Sequence, residues 1–267
     1  MLLYTYLMEL ICPKCKKPLH KENKSLICPM RHCYDVSQKG YVNLLIHKSS
    51  VNPGDNVDMV VARKTVMQNG YYSALIEKVS ELVKGFAPTS LLDLGCGEGS
   101  LTARLSEIVP DTIGMDISKS AINKACSYDK KTRYIVGSIT DIPIANDSVD
   151  ILVNCFAPIV PDEARRVLRK DGLLLKITPS EKHLFELKQA IYPNPYLNER
   201  KDCIDGFFEK DEIIVESKVS LSGDYLLSVI KMTPYFYKTP KEYLKKVENE
   251  TIETTLQFRI SILKKIS

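Results

Sequence analysis

The sequence predicts an α/β fold with a mostly parallel, doubly wound sheet, preceded by a small metal-binding module. Strand-like apolar runs alternate with segments of helical apolar spacing along most of the chain. A glycine-rich loop directly follows the first buried run, and four Cys and His residues cluster near the start. Strands that alternate with helices form parallel sheets, because each helix carries the chain back to the same edge. The cluster at the start needs a separate explanation.

The spacing of apolar residues indicates where the elements lie. Apolar residues at 72, 75, 76, 79, 82 and 83 predict an amphipathic helix ahead of the first strand. Ser118 is predicted to cap the helix after the second strand, and Pro161 to open a later one. The last two strand-like runs are expected to complete the sheet as an antiparallel edge. The predicted strands are 90–94, 112–117, 134–137, 149–156, 173–177, 212–219 and 256–262.

Residues 93–99 read Asp-Leu-Gly-Cys-Gly-Glu-Gly and predict a ligand-binding loop at the end of the first strand. Glycines there let the backbone turn sharply and approach a ligand closely. A dehydrogenase would space its glycines G-x-G-x-x-G around a pyrophosphate, whereas here the third glycine comes one position early. Asp116 ends the second strand, where it is placed to accept hydrogen bonds from ribose hydroxyls. The pattern favours the S-adenosylmethionine (SAM) site of a Rossmann-like class I methyltransferase over a dehydrogenase, with candidate residues Asp93, Gly95, Gly97, Gly99 and Asp116.

Four residues near the start have the spacing of a zinc site. Cys12, Cys15, Cys28 and His32 form the pattern C-x2-C-x12-C-x3-H. Four filled positions make a tetrahedral, structural zinc site, and in a module of about 40 residues the metal would supply the folding energy. Cys33 is an alternative fourth ligand. The other cysteines are scattered among apolar residues and are interpreted as buried thiols.

The basic charge of the chain is concentrated around this metal site. The formal net charge is +4, but residues 11–48 hold eight Lys and Arg against two acidic residues, while the rest has 29 against 31. Such a segment favours a polyanionic partner, although a merely solvated lysine face is the alternative. Tyr34 and Tyr41 are either stacking groups for bases or part of the module's own packing.

The length of 267 residues favours one core domain with a small satellite. We predict a zinc-binding RNA-recognition module at 1–48, a linker and lead-in helix at 49–70, and a methyltransferase domain at 71–267. The breaker-rich segment 49–56 marks the linker. No apolar run approaches the ~18 residues that span a membrane, and the start lacks the features of a signal peptide. We therefore expect a cytoplasmic protein without membrane attachment.

Several motifs together carry a family resemblance. They are Cys-Pro-Met-Arg-His-Cys-Tyr-Asp at 28–35, Gly-Tyr-Val-Asn-Leu-Leu at 40–45, Pro-Gly-Asp at 53–55, and the loop at 93–99. The similarity continues through Ala-Pro at 157–158, Thr-Pro at 178–179, His-Leu at 183–184, Glu-Leu-Lys at 186–188 and Met-Thr-Pro at 232–234. With these motifs, the chain resembles the 23S rRNA guanine-N1 methyltransferases over essentially its whole length.

The resemblance implies SAM-dependent methylation of guanine N1 in a 23S rRNA stem-loop near the peptide exit tunnel, by a homodimer. Some relatives thereby confer resistance to macrolide-type antibiotics. The sequence departs from the family at Phe156, where a Tyr or similar residue is usual, and at Cys33, which is usually polar. The family's zinc ligands match Cys12, Cys15, Cys28 and His32, and its cofactor contacts match Tyr72, Gly97, Glu98 and His183.

Guanine N1 carries a proton that a base must accept during the reaction. Asp35, Asp55 and Asp58 are candidates by residue type, and the sequence does not choose among them, because each also fits a turn or capping role. Methylation of an exocyclic amine is disfavoured, since residues 154–158 lack the double proline of that class. Methylation at pyrimidine C5 needs a cysteine nucleophile, for which Cys155 is a weak candidate.

Two other functions remain compatible with the sequence. A small-molecule methyltransferase with a purely structural zinc module would bind no RNA in a salt-sensitive way. A non-catalytic zinc-dependent RNA-binding protein would fail to bind the cofactor. The basic segment argues against the first alternative, and the intact glycine loop argues against the second.

Overall fold

The fold is taken from a computed structural model that describes residues 8–46, 57–200, 203–233 and 249–266, together with Glu242, Leu244 and Val247. The predicted linker 49–56, including Asp55, lies outside the described residues. The strands are β1 (His20–Glu22), β2 (Ser25–Ile27), β3 (Cys33–Asp35), β4 (Val42–Asn43), β5 (Ser90–Leu94), β6 (Asp111–Asp116), β7 (Arg133–Val136), β8 (Val149–Cys155), β9 (Leu168–Pro179), β10 (Phe207–Ser222) and β11 (Thr251–Lys265). The helices are α1 (Val57–Gln68), α2 (Ser73–Phe86), α3 (Ser100–Ser106), α4 (Lys119–Ala125), α5 (Pro161–Val167), α6 (Phe185–Ile191) and α7 (Gly223–Lys231).

Eight strands form one sheet in the order β10-β11-β9-β8-β5-β6-β7-β4. In this order, all neighbouring strands between β9 and β4 are paired in parallel. Strand β11 runs antiparallel to both β9 and β10. The predicted mostly parallel, doubly wound sheet with an antiparallel edge is therefore confirmed. Strand order reverses between β5 and β8, so the loops after these two strands flank the position where open α/β sheets bind ligands.

The predicted elements largely match the observed ones. The first predicted strand coincides with β5, Ser118 accepts a hydrogen bond from the Ala121 N–H as the predicted cap of α4, and Pro161 is the first residue of α5. The two terminal strands are longer than predicted, since they pair with each other over 15 positions. Among the described elements, β1, β2, β3, β4 and α7 were not predicted.

The two faces of the sheet are covered differently. Leu91 of β5 belongs to a core formed with α1, α2, α3, α6 and α7, while Leu92 and Leu94 point into a second core on the opposite face. The second core contains α5 and apolar residues of the N-terminal segment, including Met8, Leu19 and Leu44. The N-terminal segment is thus a layer of the fold and shares its apolar core.

Specific contacts join the N-terminal segment to the sheet. The backbone N–H of Met8 donates to the buried Asp111 carboxylate at 2.8 Å, and Leu10 forms an isolated bridge with Ile144. Val42 and Asn43 form β4, which pairs in parallel with β7 at the sheet edge. The division at residues 48 and 70 stays a prediction, but in the described residues this segment is bonded to the core before the predicted linker begins.

Candidate cofactor and zinc sites

The four predicted zinc ligands come together in the N-terminal segment. The ligand atoms of Cys12, Cys15, Cys28 and His32 all lie within 4.8 Å of one another. The Sγ atoms of Cys15 and Cys28 are 3.6 Å apart, and His32 Nδ1 lies 3.4 Å from the Sγ atoms of Cys12 and Cys28. Bond lengths of about 2.3 Å for Zn–S and about 2.0 Å for Zn–N place tetrahedral ligands about 3.5–3.8 Å apart. The donor set and its spacing therefore fit a structural zinc ion.

Local backbone geometry presents these ligands. The N–H of Lys16, a residue with positive φ, donates to the carbonyl of Cys12 and closes the first turn. The antiparallel strands β1, β2 and β3 form a three-stranded ribbon beside the second pair of ligands. Burial raises the pKa of the Cys12 thiol, but hydrogen bonds from the Tyr34 hydroxyl and from nearby backbone N–H groups outweigh it and lower that pKa to about 6. The thiolate form of Cys12, one of the three that a zinc ion would take here, is therefore favoured.

The neighbours of the zinc ligands have structural roles. Cys33 is exposed and is not part of the four-residue group, so His32 completes the cluster. Tyr34 lies with its hydroxyl 3.2 Å from Cys12 Sγ. Tyr41 is buried in a small core with Ile122 and other residues. These contacts therefore support a packing role for both tyrosines.

The surface of the ribbon is basic. Lys16 forms an ion pair with Asp141 of the α/β core, and Arg31 lies 3.8 Å from Glu22. Five further lysines in this segment are exposed, namely Lys14, Lys17, Lys21, Lys24 and Lys39. The excess of positive charge seen in the sequence is thus presented to solvent by the segment that holds the metal cluster.

The glycine loop after β5 is packed so closely that side chains are excluded. Gly95, Gly97 and Gly99 all have positive φ, at 82°, 57° and 87°. A Cβ at Gly95 would lie 2.4 Å from the Cβ of Ala157, and one at Gly99 would lie 2.6 Å from the Cβ of Ala125. The loop therefore brings its backbone to the switch point of the sheet, which is the property expected of a SAM-binding loop.

Three carboxylates surround this loop. Asp116 accepts hydrogen bonds from the N–H groups of Gly97 at 2.9 Å and Ser118 at 2.8 Å, which ties the loop to the end of β6. Asp93 and Glu98 are buried, and each has one carboxylate oxygen without a hydrogen-bond partner. Burial, opposed by a hydrogen bond from Thr102 and reinforced by the charges of Asp116 and Glu98, raises the pKa of Asp93 to about 7. This negative cluster suits a ligand with positive charge and hydroxyl groups.

An aromatic cluster lies beyond the same end of the sheet. Phe258 lies with its ring centroid 4.9 Å from that of Tyr72 and 4.8 Å from that of His183. Phe156 lies 5.7 Å from Phe258 and 6.4 Å from His183. Tyr72, His183 and Phe258 are buried, whereas Phe156 is 38 % exposed and has a positive φ of 54°. A non-glycine residue in this conformation is strained, which is a frequent property of functional sites.

His183 is held in a neutral state. Its Nδ1 accepts a hydrogen bond from the Gln257 N–H at 3.2 Å, which leaves the proton on Nε2. Burial and the positive charge of Lys188 lower the pKa of His183 to about 3. His183 is therefore a hydrogen-bond donor or packing group near neutral pH, and it does not act as the base that accepts the guanine proton.

The lowered pKa of His183 predicts a pH effect on stability. Between pH 6.5 and about pH 3 the unfolded chain binds a proton that the native protein does not, so the free energy of unfolding falls as the pH drops through this range. Relative to wild type, His183→Gln should gain stability on acidification by at most about 1.4 kcal/mol per pH unit. Urea unfolding at pH 7.5 and pH 5 measures this difference. His20→Gln, at an exposed strand position, is the control; an unchanged pH slope in His183→Gln would contradict the assignment.

The loop after β8 is fixed against the glycine loop. The buried Asn154 donates to the carbonyls of Leu94 at 2.8 Å and Pro158 at 3.2 Å, and Lys176 donates to the carbonyl of Ala157 at 2.6 Å and also to Asn154. Since the Asn154 amide is used in this way, it is not presented to the exocyclic amine of a base. This arrangement agrees with the prediction from sequence that methylation of an exocyclic amine is disfavoured.

Cys155 is poorly suited to nucleophilic catalysis. Burial, with a smaller contribution from the charge of Asp93, raises its pKa to about 12, although Arg63 and Lys176 oppose this shift. The thiolate that attacks a pyrimidine ring would therefore be rare at neutral pH. Methylation at pyrimidine C5 is disfavoured on this ground.

The predicted candidates for the base occupy different places. Asp35 ends β3 in the ribbon, where it is exposed and accepts a hydrogen bond from Ser25 Oγ at 2.7 Å. Asp58 lies in the first turn of α1 and is exposed. Neither is brought into the aromatic cluster in the described residues, so their catalytic role stays a prediction.

Sequence reasoning missed two residues of this region. Phe258 joins the aromatic cluster from β11, and Arg63 reaches the glycine loop from α1, with its Nη1 3.1 Å from the position of a Cβ at Gly97. Neither residue belongs to a local motif, because both reach the site only through tertiary packing. The apolar pattern around Phe258 predicted a strand and gave no sign of a site.

Comparison with known proteins first defines the class. Residues 92–175 match the family described as methyltransferase domain, and residues 10–50 match the zinc ribbon family described as RlmA, N-terminal. A solved structure assigned to a type II methyltransferase of Anaeromyxobacter dehalogenans has a TM-score of 0.50 at 17 % identity and covers 70 % of this chain and 95 % of that one. The fold and the glycine loop at its switch point define a class I SAM-dependent methyltransferase with an N-terminal zinc ribbon.

Two relatives define the family. The chain is 35 % identical over 187 residues to the 23S rRNA (guanine(748)-N(1))-methyltransferase of Streptomyces fradiae, in an alignment covering 67 % of this chain and 66 % of that protein. It is 33 % identical over 204 residues to a protein of Micromonospora griseorubida assigned as a 23S rRNA (guanine-N(1)-)-methyltransferase, with coverage of 68 % and 69 %. The chain belongs to the family of 23S rRNA (guanine-N1)-methyltransferases.

Proposed function

We propose that this protein methylates N1 of a guanine in a hairpin of 23S rRNA, with SAM as methyl donor. The observation that carries the proposal is the Phe156 ring, which is exposed and extends a buried aromatic cluster towards solvent beside the end of β8. An open aromatic face is what an unstacked base needs. The names of the related proteins give the base, guanine, and the methylated atom, N1.

The residues that would hold SAM are those whose geometry fits it. The glycine loop turns sharply at the switch point of the sheet and presents its backbone there, and Asp116 is placed for ribose hydroxyls. The unpartnered oxygens of Asp93 and Glu98 suit positively charged groups. Tyr72 and His183 are proposed to contact the cofactor from the aromatic cluster. When bound, SAM supplies a methyl group on a positively charged sulfur, which is attacked in line by the nucleophile.

The protein's own contribution is chiefly to position the base and exclude water. A guanine stacked on Phe156 would be held at the carboxyl end of β8, opposite the glycine loop. The neutral His183 can donate a hydrogen bond but does not remove the N1 proton. Asp35, Asp55 and Asp58 remain the proposed candidates for that task. The proposed zinc ligands Cys12, Cys15, Cys28 and His32 would shape the ribbon that binds the RNA backbone.

The proposed function is tested by methyl transfer from labelled SAM to protein-free 23S rRNA, followed by analysis of the modified nucleosides. We expect 1-methylguanosine as the product. Incorporation into another nucleoside would refute the assignment of the atom. No incorporation by a protein that binds SAM normally would instead favour a small-molecule methyltransferase.

The role of Phe156 gives a separate prediction. Phe156→Ala should lower kcat/KM for the RNA by about 10- to 100-fold, since base stacking on an aromatic ring contributes about 1–3 kcal/mol. Phe156→Tyr, which keeps the ring, should retain activity. Steady-state kinetics with varied RNA and varied SAM measure both variants. If the loss appeared only in the KM for SAM, Phe156 would be a cofactor contact and the stacking role would be wrong.

The cellular context is also proposed from the family. An enzyme with this substrate would act in the cytoplasm, and relatives of this kind suggest a homodimer. Among the described residues, no helix is both long enough and apolar enough to cross a membrane.

Methylation of the exit-tunnel hairpin would alter macrolide sensitivity, which is tested by comparing the inhibitory concentration with and without the gene. Unchanged sensitivity would remove that part of the proposal.

A further inference from the structure

Arg63 lies at the convergence of three elements that surround the proposed cofactor site. It belongs to α1, which is fixed in the core by the buried side chains of Ala62 and Val66. Its Nη1 atom is 3.1 Å from the position that a Cβ would take at Gly97. Its positive charge also acts on Tyr72 at the start of α2 and on Cys155 at the end of β8. The guanidinium therefore lies over the glycine loop, on the side of the aromatic cluster.

The chemistry of the ligand requires a cation in addition to the carboxylates. The methionyl part of SAM carries an ammonium group, a sulfonium and a carboxylate. Asp93, Glu98 and Asp116 suit the positive groups and the ribose, but they would repel the carboxylate. An arginine matches a carboxylate best, because its planar fork donates two parallel hydrogen bonds.

Two other basic residues near this region have different contacts. Lys176 donates to Asn154 and to the Ala157 carbonyl, where it fixes the loop after β8. Lys64, the neighbour of Arg63 on α1, lies 6.0 Å from the ring centroid of Tyr128. Arg63 is the basic side chain that lies next to the glycine loop at Gly97, and its several N–H donors can serve a carboxylate in addition to other partners.

We propose that Arg63 binds the methionyl carboxylate of SAM and thereby makes α1 part of the cofactor site. This contact lies outside the set of cofactor residues that the family resemblance implies. Gly97 has a positive φ of 57° that favours glycine, and a Cβ at this position would lie 3.1 Å from Arg63 Nη1, so the guanidinium is next to the loop backbone. The inference rests on the SAM-binding part of the proposed function and is independent of which nucleotide is modified.

The test compares two ligands that differ only in the carboxylate. Binding of SAM and of decarboxylated SAM to the full-length protein is measured by calorimetry in the absence of RNA. Arg63→Gln should weaken SAM binding by about 10- to 100-fold, as expected for loss of a charged hydrogen-bonded pair. Its affinity for decarboxylated SAM should be unchanged or tighter, because removing a positive charge favours a more cationic ligand. Arg63→Lys, which keeps the charge but not the fork, should lie in between.

Arg104→Gln is the matched control, since Arg104 is exposed on α3 and forms its ion pair with Glu107. It should leave both affinities unchanged, and thermal unfolding of each variant verifies folding. Equal weakening of both ligands by Arg63→Gln would show a purely structural role and overturn the proposal. Unchanged SAM binding would overturn it as well. Because no RNA is present, failure of the rRNA assignment would leave this result unaffected.

Discussion

Replacing Gly95 by alanine is expected to abolish measurable SAM binding while leaving the protein folded. The new Cβ would lie 2.4 Å from the Cβ of Ala157, and the backbone at Gly95 has a φ of 82° that alanine adopts at a cost of about 1–2 kcal/mol. Relief of the clash would move the loop after β8, which carries Phe156, away from the glycine loop. The binding site would lose its shape from both sides.

Calorimetric titration with S-adenosylhomocysteine measures this effect. Gly85→Ala is the control, because Gly85 lies in α2 with open space around it, and helix propensity there predicts a gain of about 0.5–1 kcal/mol. Adding Ala157→Gly to the Gly95→Ala variant removes the clashing methyl group and should restore part of the affinity. Wild-type affinity in the Gly95→Ala variant alone would show that the loop does not bind the cofactor.

Cys28→Ser is expected to release zinc and to abolish methylation of RNA, while the affinity for SAM stays within about threefold of wild type. The thiolate is one of four ligands, and a ribbon of this size depends on the metal for its fold. The glycine loop lies outside the ribbon, so its own geometry should persist. Metal analysis, calorimetry with the cofactor and methyl transfer to 23S rRNA measure the three effects.

The structure adds a consequence for stability to this prediction. Cys28, Leu19 and Met8 share a hydrophobic core with Leu92 and Leu94 of β5. Loss of zinc should therefore lower the melting temperature of the whole protein as well as unfold the ribbon. Cys33→Ser is the control, because that thiol is exposed and outside the metal cluster. A loss of cofactor affinity equal to the loss of RNA methylation would contradict separate roles for ribbon and loop.

The sequence was most informative where the structure is locally determined. The run of apolar residues before the glycine loop identified β5, and Ser118 capped its helix as expected, because both depend on neighbouring residues. The grouping of the four candidate zinc ligands could also be predicted, since their spacing in the sequence follows from the geometry of one ion. The glycine loop was predicted from a short local motif that directly follows an apolar run.

Features that depend on contacts between distant parts of the chain could not be predicted from the sequence. β4 has two residues and is a strand only because β7 offers it an open edge. The cluster of Tyr72, Phe156, His183 and Phe258 combines four separate segments, and no pattern in any of them indicates the others. The neutral state of His183 likewise depends on burial and on the Gln257 N–H, neither of which sequence spacing reveals.

The most direct test of the central claim is reverse transcription of 23S rRNA after incubation with the protein and SAM. A methyl group on guanine N1 blocks base pairing, so it stops the transcriptase one nucleotide before the modified base. We predict a single strong stop at one guanine of one hairpin, dependent on SAM and absent with the Gly95→Ala variant. No stop, despite incorporation of labelled methyl groups into the RNA, would show that the methylated atom is not guanine N1.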